Sequence, residues 1–296
     1  MLESDPPIAG VMPLRISRTG LDRDYREDAE RARLTLRSLE ENLRGDGRFD
    51  LHVVCPPDDL EATRNALSAV DLRRVRLVFH DETPFLGEAV AGDRRIRGFT
   101  RQQLVKLAFA AECPARFCIT FDSDVVLLRP LDPAELVLAG RGLLQDEAVK
   151  AHPEWWDAAG AVLGRGVTYE QGMSVTPAVL ATEGVRSLIG ALRARAAGAD
   201  WRAWLAGLHA GGTIWTEYTL YFHHLMLEGL VDRLHARGPA ARMILIRSVW
   251  RRDHFEGWSV PGALAGGAGW FAVLQSSAGL SVEEVRARVW PSIRPD

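Results

Sequence analysis

Residues 116–130 of the chain read RFCITFDSDVVLLRP. The segment opens with apolar, aromatic and β-branched residues, which is typical of a strand buried on both faces. Two carboxylates one residue apart, Asp122 and Asp124, then interrupt it. Because burying an ionised carboxylate without a partner is costly, we expect both at the end of the strand. Side chains at positions i and i+2 leave one face of a strand, so the two carboxylates should project together.

Two neighbouring anionic groups repel each other unless a cation lies between them. Carboxylate oxygens are hard ligands, and the divalent ions that they bind best in such a pair are Mg²⁺ and Mn²⁺. In α/β proteins, ligands bind at the carboxyl ends of the strands, where a metal can neutralise a diphosphate. The segment therefore predicts a metal–diphosphate site. The alternative is a solvated turn, since a short Asp-x-Asp pattern is common by chance.

The overall composition matches an ordinary globular protein. The chain has 296 residues, of which 47% are hydrophobic and 25% charged, so one large α/β domain or two small ones would fit. A net charge of -3 gives no electrostatic reason to expect a nucleic-acid partner. We find no secretory signal and no apolar run of transmembrane length. The three cysteines, Cys55, Cys113 and Cys118, are too scattered for a disulfide framework or a zinc site, which favours the cytoplasm.

The first half of the chain alternates between strand and helix patterns. We predict strands over residues 8–14, 51–55, 75–79 and 116–121, and helices over residues 25–43, 58–69 and 101–111. Alternation with short connections predicts βαβ units, hence a mostly parallel central sheet flanked by helices. Residues 80–100 show no period, and we expect a loop there.

The second half is less regular. We predict strands over residues 172–176, 243–246 and 271–275, helices over residues 183–197, 215–230 and 281–289, and a mobile or substrate-contacting excursion over residues 145–166. There is no internal repeat and no long linker. We therefore predict a single domain over residues 1–296, with a nucleotide-binding half over about residues 8–130 and an irregular acceptor-side half over about residues 131–296.

Three segments occur in a characteristic order: RQQLVKL at 101–107, FDSDVVLLRP at 121–130 and WTEYTLY at 215–221. The middle one resembles the metal-binding D-x-D strand and its exit in glycosyltransferases of the GT-A type. The other two resemble the RQQ-x-x-KL and S/T-E-Y-x-L-Y segments of a poorly characterised bacterial GT-A-like family. The resemblance covers about residues 100–221, and it implies a GT-A-like, Rossmann-like fold.

The resemblance also implies a site. A nucleotide-diphosphate sugar would bind at the carboxyl edge of the sheet with Mn²⁺ or Mg²⁺, and the acceptor would be a saccharide or a glycolipid. Asp124 would be the most direct metal ligand, with Asp122 completing the metal site or contacting the donor. His254, in DHFEGW at 253–258, is similar in context to a late histidine ligand of several GT-A families. Imidazole is compatible with manganese.

Three residues of the first segment are expected to bind the donor. The metal would supply most of the stabilisation of charge on the departing nucleoside diphosphate, and Arg101 or Lys106 would supply the remainder. Gln102 and Lys106 lie four residues apart, on one face of a helix, so they would point together at the ligand. The alternative is that this face is solvated.

The acceptor hydroxyl loses a proton as it attacks, which calls for a carboxylate near the anomeric carbon. Glu217 is the first candidate, because it lies near the start of an apolar helix, where an unpaired carboxylate would be costly unless it lined a cavity. The alternative is a carboxylate that only stabilises the N-terminus of that helix. Asp146 and Glu170 are weaker candidates. The sequence leaves inversion or retention at the anomeric carbon open.

We thus expect a metal-dependent glycosyltransferase of bacterial surface polysaccharide or glycolipid synthesis, in the cytoplasm or peripheral at the inner face of the membrane. A sugar nucleotidyltransferase is the first alternative. That class has a glycine-rich loop after the first strand, whereas residues 12–18, MPLRISR, contain no glycine. A non-catalytic nucleotide-sugar-binding protein of the same fold is the second alternative.

Overall fold

The computed structural model describes residues 8–16, 26–238 and 241–293. Its centre is a five-stranded sheet in the order β10-β4-β1-β2-β3. These strands are β1 (Ile8–Pro13), β2 (Phe49–Cys55), β3 (Val75–Asp81), β4 (Phe117–Thr120) and β10 (Ala178–Ala181). The first four are parallel, and β10 runs antiparallel along the edge of β4. The predicted mostly parallel sheet is confirmed.

The helices of the first half connect the parallel strands. They are α1 (Arg26–Asn42), α2 (Leu60–Leu67), α3 (Thr83–Leu86), α4 (Glu88–Ala91) and α5 (Gly98–Glu112). The predicted alternation of strands and helices is therefore confirmed. The expectation of a loop over residues 80–100 was wrong, because β3 continues to Asp81 and two single-turn helices follow. Gly87, with a φ of 73°, separates these two helices, which are too short to produce a helical period in the sequence.

The second half carries small sheets and the remaining helices. Strands β5 (Val125–Leu127) and β12 (Phe271–Val273) pair with each other, as do β8 (Glu147–Ala148) and β9 (Gln171–Gly172), and β6 (Val137–Leu138), β7 (Arg141–Leu143) and β11 (His235–Ala236) form a third sheet. The helices are α6 (Pro153–Leu163), α7 (Thr182–Arg195), α8 (Trp201–Ala210), α9 (Glu217–Leu227), α10 (Val231–Leu234), α11 (Arg252–Phe255), α12 (Val260–Leu264) and α13 (Val282–Ile293).

The excursion predicted over residues 145–166 contains α6, which packs on α9 and buries Trp156, and its substrate-contacting role stays a prediction. Two predicted strands of this half were wrong. Residues 172–176 form no strand beyond Gly172, which ends β9. Residues 243–246 form no strand: they contribute one bridge, from Ile244 to Phe271, and follow the edge of β12 through hydrogen bonds. The predicted C-terminal helix is confirmed, and its capping box joins Ser281 and Glu284 reciprocally.

The core lies on both faces of the central sheet and continues as a second apolar cluster between β5, β12 and α13. All three cysteines are buried and reduced. Over the described residues, no helix combines the length and the hydropathy that crossing a membrane requires.

Candidate active site

A cavity of about 930 Å³ opens at the carboxyl ends of the parallel strands. Its floor includes residues that directly follow β1, β3 and β4, among them Arg15, Glu82 and Asp122. The first turns of α5 and α9 and the segments near residues 242–254 and 273–277 form its walls. This is the edge at which open α/β sheets bind their ligands.

The two aspartates line this cavity from the turn between β4 and β5. They follow the end of β4 and line one cavity, as expected, but they lie in a turn, so strand alternation is not the reason that they share this face. Oδ2 of Asp124 accepts a hydrogen bond from the backbone N–H of Ser276 at 2.6 Å. Burial, and next the charge of Asp122, raise the pKa of Asp124. The two carboxylates therefore repel each other, and a cation between them would relieve that repulsion.

The side chain of Lys106 extends from α5 to Asp122, and only 2% of it is exposed. Its Nζ lies 2.7 Å from Oδ1 of Asp122 and 2.9 Å from Oε1 of Glu217. It also donates to the hydroxyl of Tyr218 at 3.2 Å. Burial alone would lower the pKa of Lys106, but the charges of Asp122 and Glu217 hold that pKa well above its ordinary value. The ammonium group therefore stays charged, with two carboxylates and one hydroxyl within 3.2 Å.

Glu217 is the first residue of α9, and 3% of its side chain is exposed. Thr216 caps the helix by accepting the N–H of Thr219, while the N–H of Glu217 donates to Oε1 of Gln103 at 3.0 Å. Burial raises the pKa of Glu217, and the contact with Lys106 opposes this. The carboxylate has both features expected from the sequence: it lies at a helix N-terminus, and it lines the cavity.

Arg101 lines the cavity but is bound elsewhere. Its Nη2 lies 2.5 Å from Oε1 of Glu82 and donates to the carbonyl of Ala91, and Nη1 donates to the carbonyl of Val90. The guanidinium group thus ties α5 to the segment after β3. The donor-binding role of Arg101 stays a prediction that these contacts do not favour. Gln102 also lines the cavity, as expected of a donor-binding residue.

His254 lies in α11, is exposed, and lines the same cavity. Within residues 8–16, 26–238 and 241–293, no three His, Cys, Asp or Glu side chains are close enough to hold one ion. The metal-ligand role of His254 stays a prediction. The weaker base candidates, Asp146 and Glu170, do not line the cavity. Asp146 is also paired with Arg237 at 3.0 Å.

Sequence reasoning missed several residues of the site. Tyr218 joins Lys106 to Thr120 at the end of β4, through a contact of 2.8 Å between the two hydroxyls. Ser276 anchors Asp124, and Gln145 fixes the backbone beside Arg242. Tyr218 adjoins Glu217 in the TEY segment, which was a usable signal. The others come from distant parts of the chain and carry no local signal.

Residues 6–294 match DUF6492, a family of unknown function, and the chain belongs to that family. No curated protein matches the sequence.

The chain was also compared with solved structures, two of which match it along most of its length. The apo structure of the bifunctional glycosyltransferase WbbM has a TM-score of 0.54 and 11% identity, over 97% of this chain and 50% of that one. The apo form of mouse xyloside xylosyltransferase 1 has a TM-score of 0.49 and 15% identity, over 93% of this chain and 100% of that one. The chain thus spans half the length of WbbM, and its α/β fold is one that a glycosyltransferase uses.

Proposed function

We infer that the chain is a glycosyltransferase that moves a sugar from a nucleotide-diphosphate sugar to an acceptor hydroxyl. One observation carries this proposal: the buried Lys106 and Glu217 and the half-buried Asp122 form a charged cluster beside Asp124, in a cavity at the carboxyl ends of parallel strands. The similarity to WbbM supports the fold alone, since identity is only 11%.

The proposed donor site lies at Asp122 and Asp124. Their oxygens suit a hard divalent ion, Mn²⁺ or Mg²⁺, and the raised pKa of the half-buried Asp124 indicates a carboxylate that a cation would stabilise. Asp122 and Asp124 would hold such an ion, and because two carboxylates do not complete a coordination sphere, it would need further oxygen ligands from outside the protein. When bound, such an ion neutralises charge on the departing nucleoside diphosphate.

Lys106 is proposed to act inside the protein and not on the phosphates. Its charge is already compensated by two carboxylates, those of Asp122 and Glu217, within 2.9 Å. The ammonium group thus holds Asp122 in place and keeps Glu217 oriented toward the cavity. This differs from the direct phosphate contact that the sequence predicts.

Glu217 is proposed as the base that accepts the proton of the acceptor hydroxyl. It is the one carboxylate of the cluster outside the Asp-x-Asp turn, and burial raises its pKa toward neutrality. A base on the face opposite the leaving group gives inversion at the anomeric carbon. A saccharide or glycolipid acceptor, and a part in bacterial surface polysaccharide or glycolipid synthesis, rest on the sequence resemblance.

Calorimetric titration of UDP and GDP, with Mn²⁺ and with a chelator, tests the proposal. Wild-type protein and Asp71→Asn should bind at least one nucleotide in Mn²⁺, and Asp124→Asn should lose that binding. Asp71 is a matched control because its side chain is 80% exposed and lies outside the cavity. Absence of binding of both nucleotides to wild-type protein, with and without metal, would contradict the proposal.

A further inference from the structure

Five cationic side chains line the cavity: Arg15, Arg101, Lys106, Arg242 and Arg251. Four of them have carboxylate partners. Arg101 and Arg15 lie 2.5 and 3.9 Å from Glu82, Lys106 lies 2.7 Å from Asp122, and Arg251 lies 2.8 Å from Asp253. Each of these four cations therefore has a carboxylate within 3.9 Å, although Arg15 and Arg101 share that of Glu82, which leaves one cation without such a partner among the described residues.

Arg242 is that cation. Over the described residues its half-buried side chain makes no ion pair and no hydrogen bond. Leaving a guanidinium group half-buried without an anion costs free energy, because it loses water without gaining a partner. An anion in the cavity would recover that cost.

The backbone beside Arg242 is held firmly. Oε1 of Gln145, which is 7% exposed, accepts the N–H of Met243 at 2.9 Å and that of Ile244 at 2.7 Å. The carbonyl of Met243 accepts the N–H of Trp270 at 2.8 Å and that of Phe271 at 3.0 Å. Arg242 is therefore attached to a fixed point of the cavity wall, and only its side chain is left to adjust to a ligand.

This wall is connected to the Asp-x-Asp turn. Phe271 begins β12, which pairs antiparallel with β5, and β5 begins at the residue after Asp124. The segments that carry Arg242 and Asp124 are thus both hydrogen-bonded to β12, and both residues line the cavity. A diphosphate beside two carboxylates needs cationic partners, and a planar guanidinium binds two phosphate oxygens at once.

We propose that Arg242 binds the diphosphate of the nucleotide-sugar donor, which rests on the proposed function. During transfer the bond from the anomeric carbon to the diphosphate oxygen breaks, and that oxygen keeps the electron pair. A bond from the acceptor oxygen to the anomeric carbon forms, and the acceptor proton passes to the base. Arg242 stabilises the charge that the leaving nucleoside diphosphate gains.

Calorimetry on Arg242→Gln, Arg242→Lys and Arg247→Gln tests the assignment, with UDP and GDP compared with uridine and guanosine in Mn²⁺. Arg242→Gln should weaken diphosphate binding by about 10–100-fold, the usual value of hydrogen bonds to a charged group, and leave nucleoside binding unchanged. Arg242→Lys should lie between, since lysine keeps the charge without the fork. Arg247 is exposed and does not line the cavity, so its variant should bind as wild type does.

Each outcome decides between the two proposals. If wild-type protein binds neither nucleotide, the proposed function fails and this assignment fails with it. If wild-type protein binds and Arg242→Gln binds the diphosphate equally well, the assignment alone is overturned. The same holds if the only effect of Arg242→Gln is a higher KM for an acceptor. Equal weakening of nucleoside and diphosphate binding would also overturn it, because that result reports a change of cavity shape.

Discussion

Nζ of Lys106 and Oε1 of Glu217 form an ion pair of 2.9 Å in which the two side chains are only 2% and 3% exposed. The same ammonium group contacts Asp122, so it joins α5, the Asp-x-Asp turn and α9 at one point. A buried pair of this kind adds little stability compared with apolar residues. Removing one partner is costly, because the other charge stays buried and unpaired.

We therefore expect Lys106→Met to lower the free energy of unfolding by about 3–5 kcal/mol. The double variant Lys106→Met, Glu217→Gln should recover part of that loss. Without Lys106 the carboxylates of Asp122 and Glu217 are both left without their cation, and the second substitution removes one of these two charges. Urea denaturation at neutral pH measures both. Lys150→Met is the control, because Lys150 is exposed. Equal stability of Lys106→Met and the control would show that the pair is not buried as described.

Glu217→Gln tests the proposed base. We expect kcat to fall by about 10²–10⁴-fold while nucleotide binding in Mn²⁺ is retained. A base works when deprotonated, so wild-type activity should be lost as the pH falls, and because burial raises the pKa of Glu217 this loss should begin above the ordinary carboxylate range. Glu228→Gln, at the exposed end of the same helix, should leave kcat unchanged. Full activity of Glu217→Gln would place the base elsewhere.

The burial of His235, which does not line the cavity, predicts that the protein loses stability at acid pH. Its Nδ1 donates to the carbonyl of Gly142 at 3.1 Å, so its Nε2 accepts from the hydroxyl of Tyr221 at 2.7 Å, and the ring is neutral. Burial lowers the pKa of His235 from 6.5 to about 4. Between those two pH values the unfolded chain binds more protons, so stability should fall as the pH is lowered through this window, by on the order of 3 kcal/mol in total.

Urea denaturation at pH 7.5 and 4.5 measures this effect. His235→Gln should show a smaller loss between the two pH values than wild-type protein, whatever its stability at pH 7.5. His152→Gln should keep the wild-type loss, because 40% of the His152 side chain is exposed. An equal loss in His235→Gln would contradict the assignment.

Two glycines should respond oppositely to alanine. A Cβ on Gly172 would lie 2.9 Å from Cζ2 of Trp156 and 3.0 Å from Cδ1 of Phe222, two buried rings that cannot move away. Gly172→Ala should therefore cost about 1–3 kcal/mol. Gly190 lies inside α7 with no atom within 4 Å of its Cβ position, so Gly190→Ala should add about 0.5–1 kcal/mol. Thermal unfolding of both variants decides, and a loss in Gly190→Ala would contradict this account.

The sequence predicted the first half of the fold well and the second half less well. Strands β1 to β4 are apolar and separated by helices long enough to show a period, so local pattern and structure agree. Helix α6 was missed although both its ends carry usual helix-boundary residues: Pro153 is its first residue, and Gly164, with a φ of 72°, follows its end. Strand β10 is four residues long, too short for a reliable pattern.

The same distinction holds at the site. Asp122 and Asp124 were found because their significance is local in sequence. The contacts of Lys106 were not, because its two carboxylate partners come from a turn and a helix that only the fold brings together. Arg242 lies in a segment without a regular period, and what distinguishes it is its place in the cavity wall without a partner among the described residues.

The hydrogen bond from Ser276 to Asp124 joins residues 152 positions apart. Strand β12, which carries the residues just before Ser276, also pairs with β5 beside the Asp-x-Asp turn. Domains made on the ribosome begin to fold from the N-terminus. The parallel sheet can therefore form while synthesis continues, but the turn at its edge lacks its supports until nearly the whole chain has emerged. A nascent chain stalled before β12 would be folded in its first half and yet unable to bind its ligand.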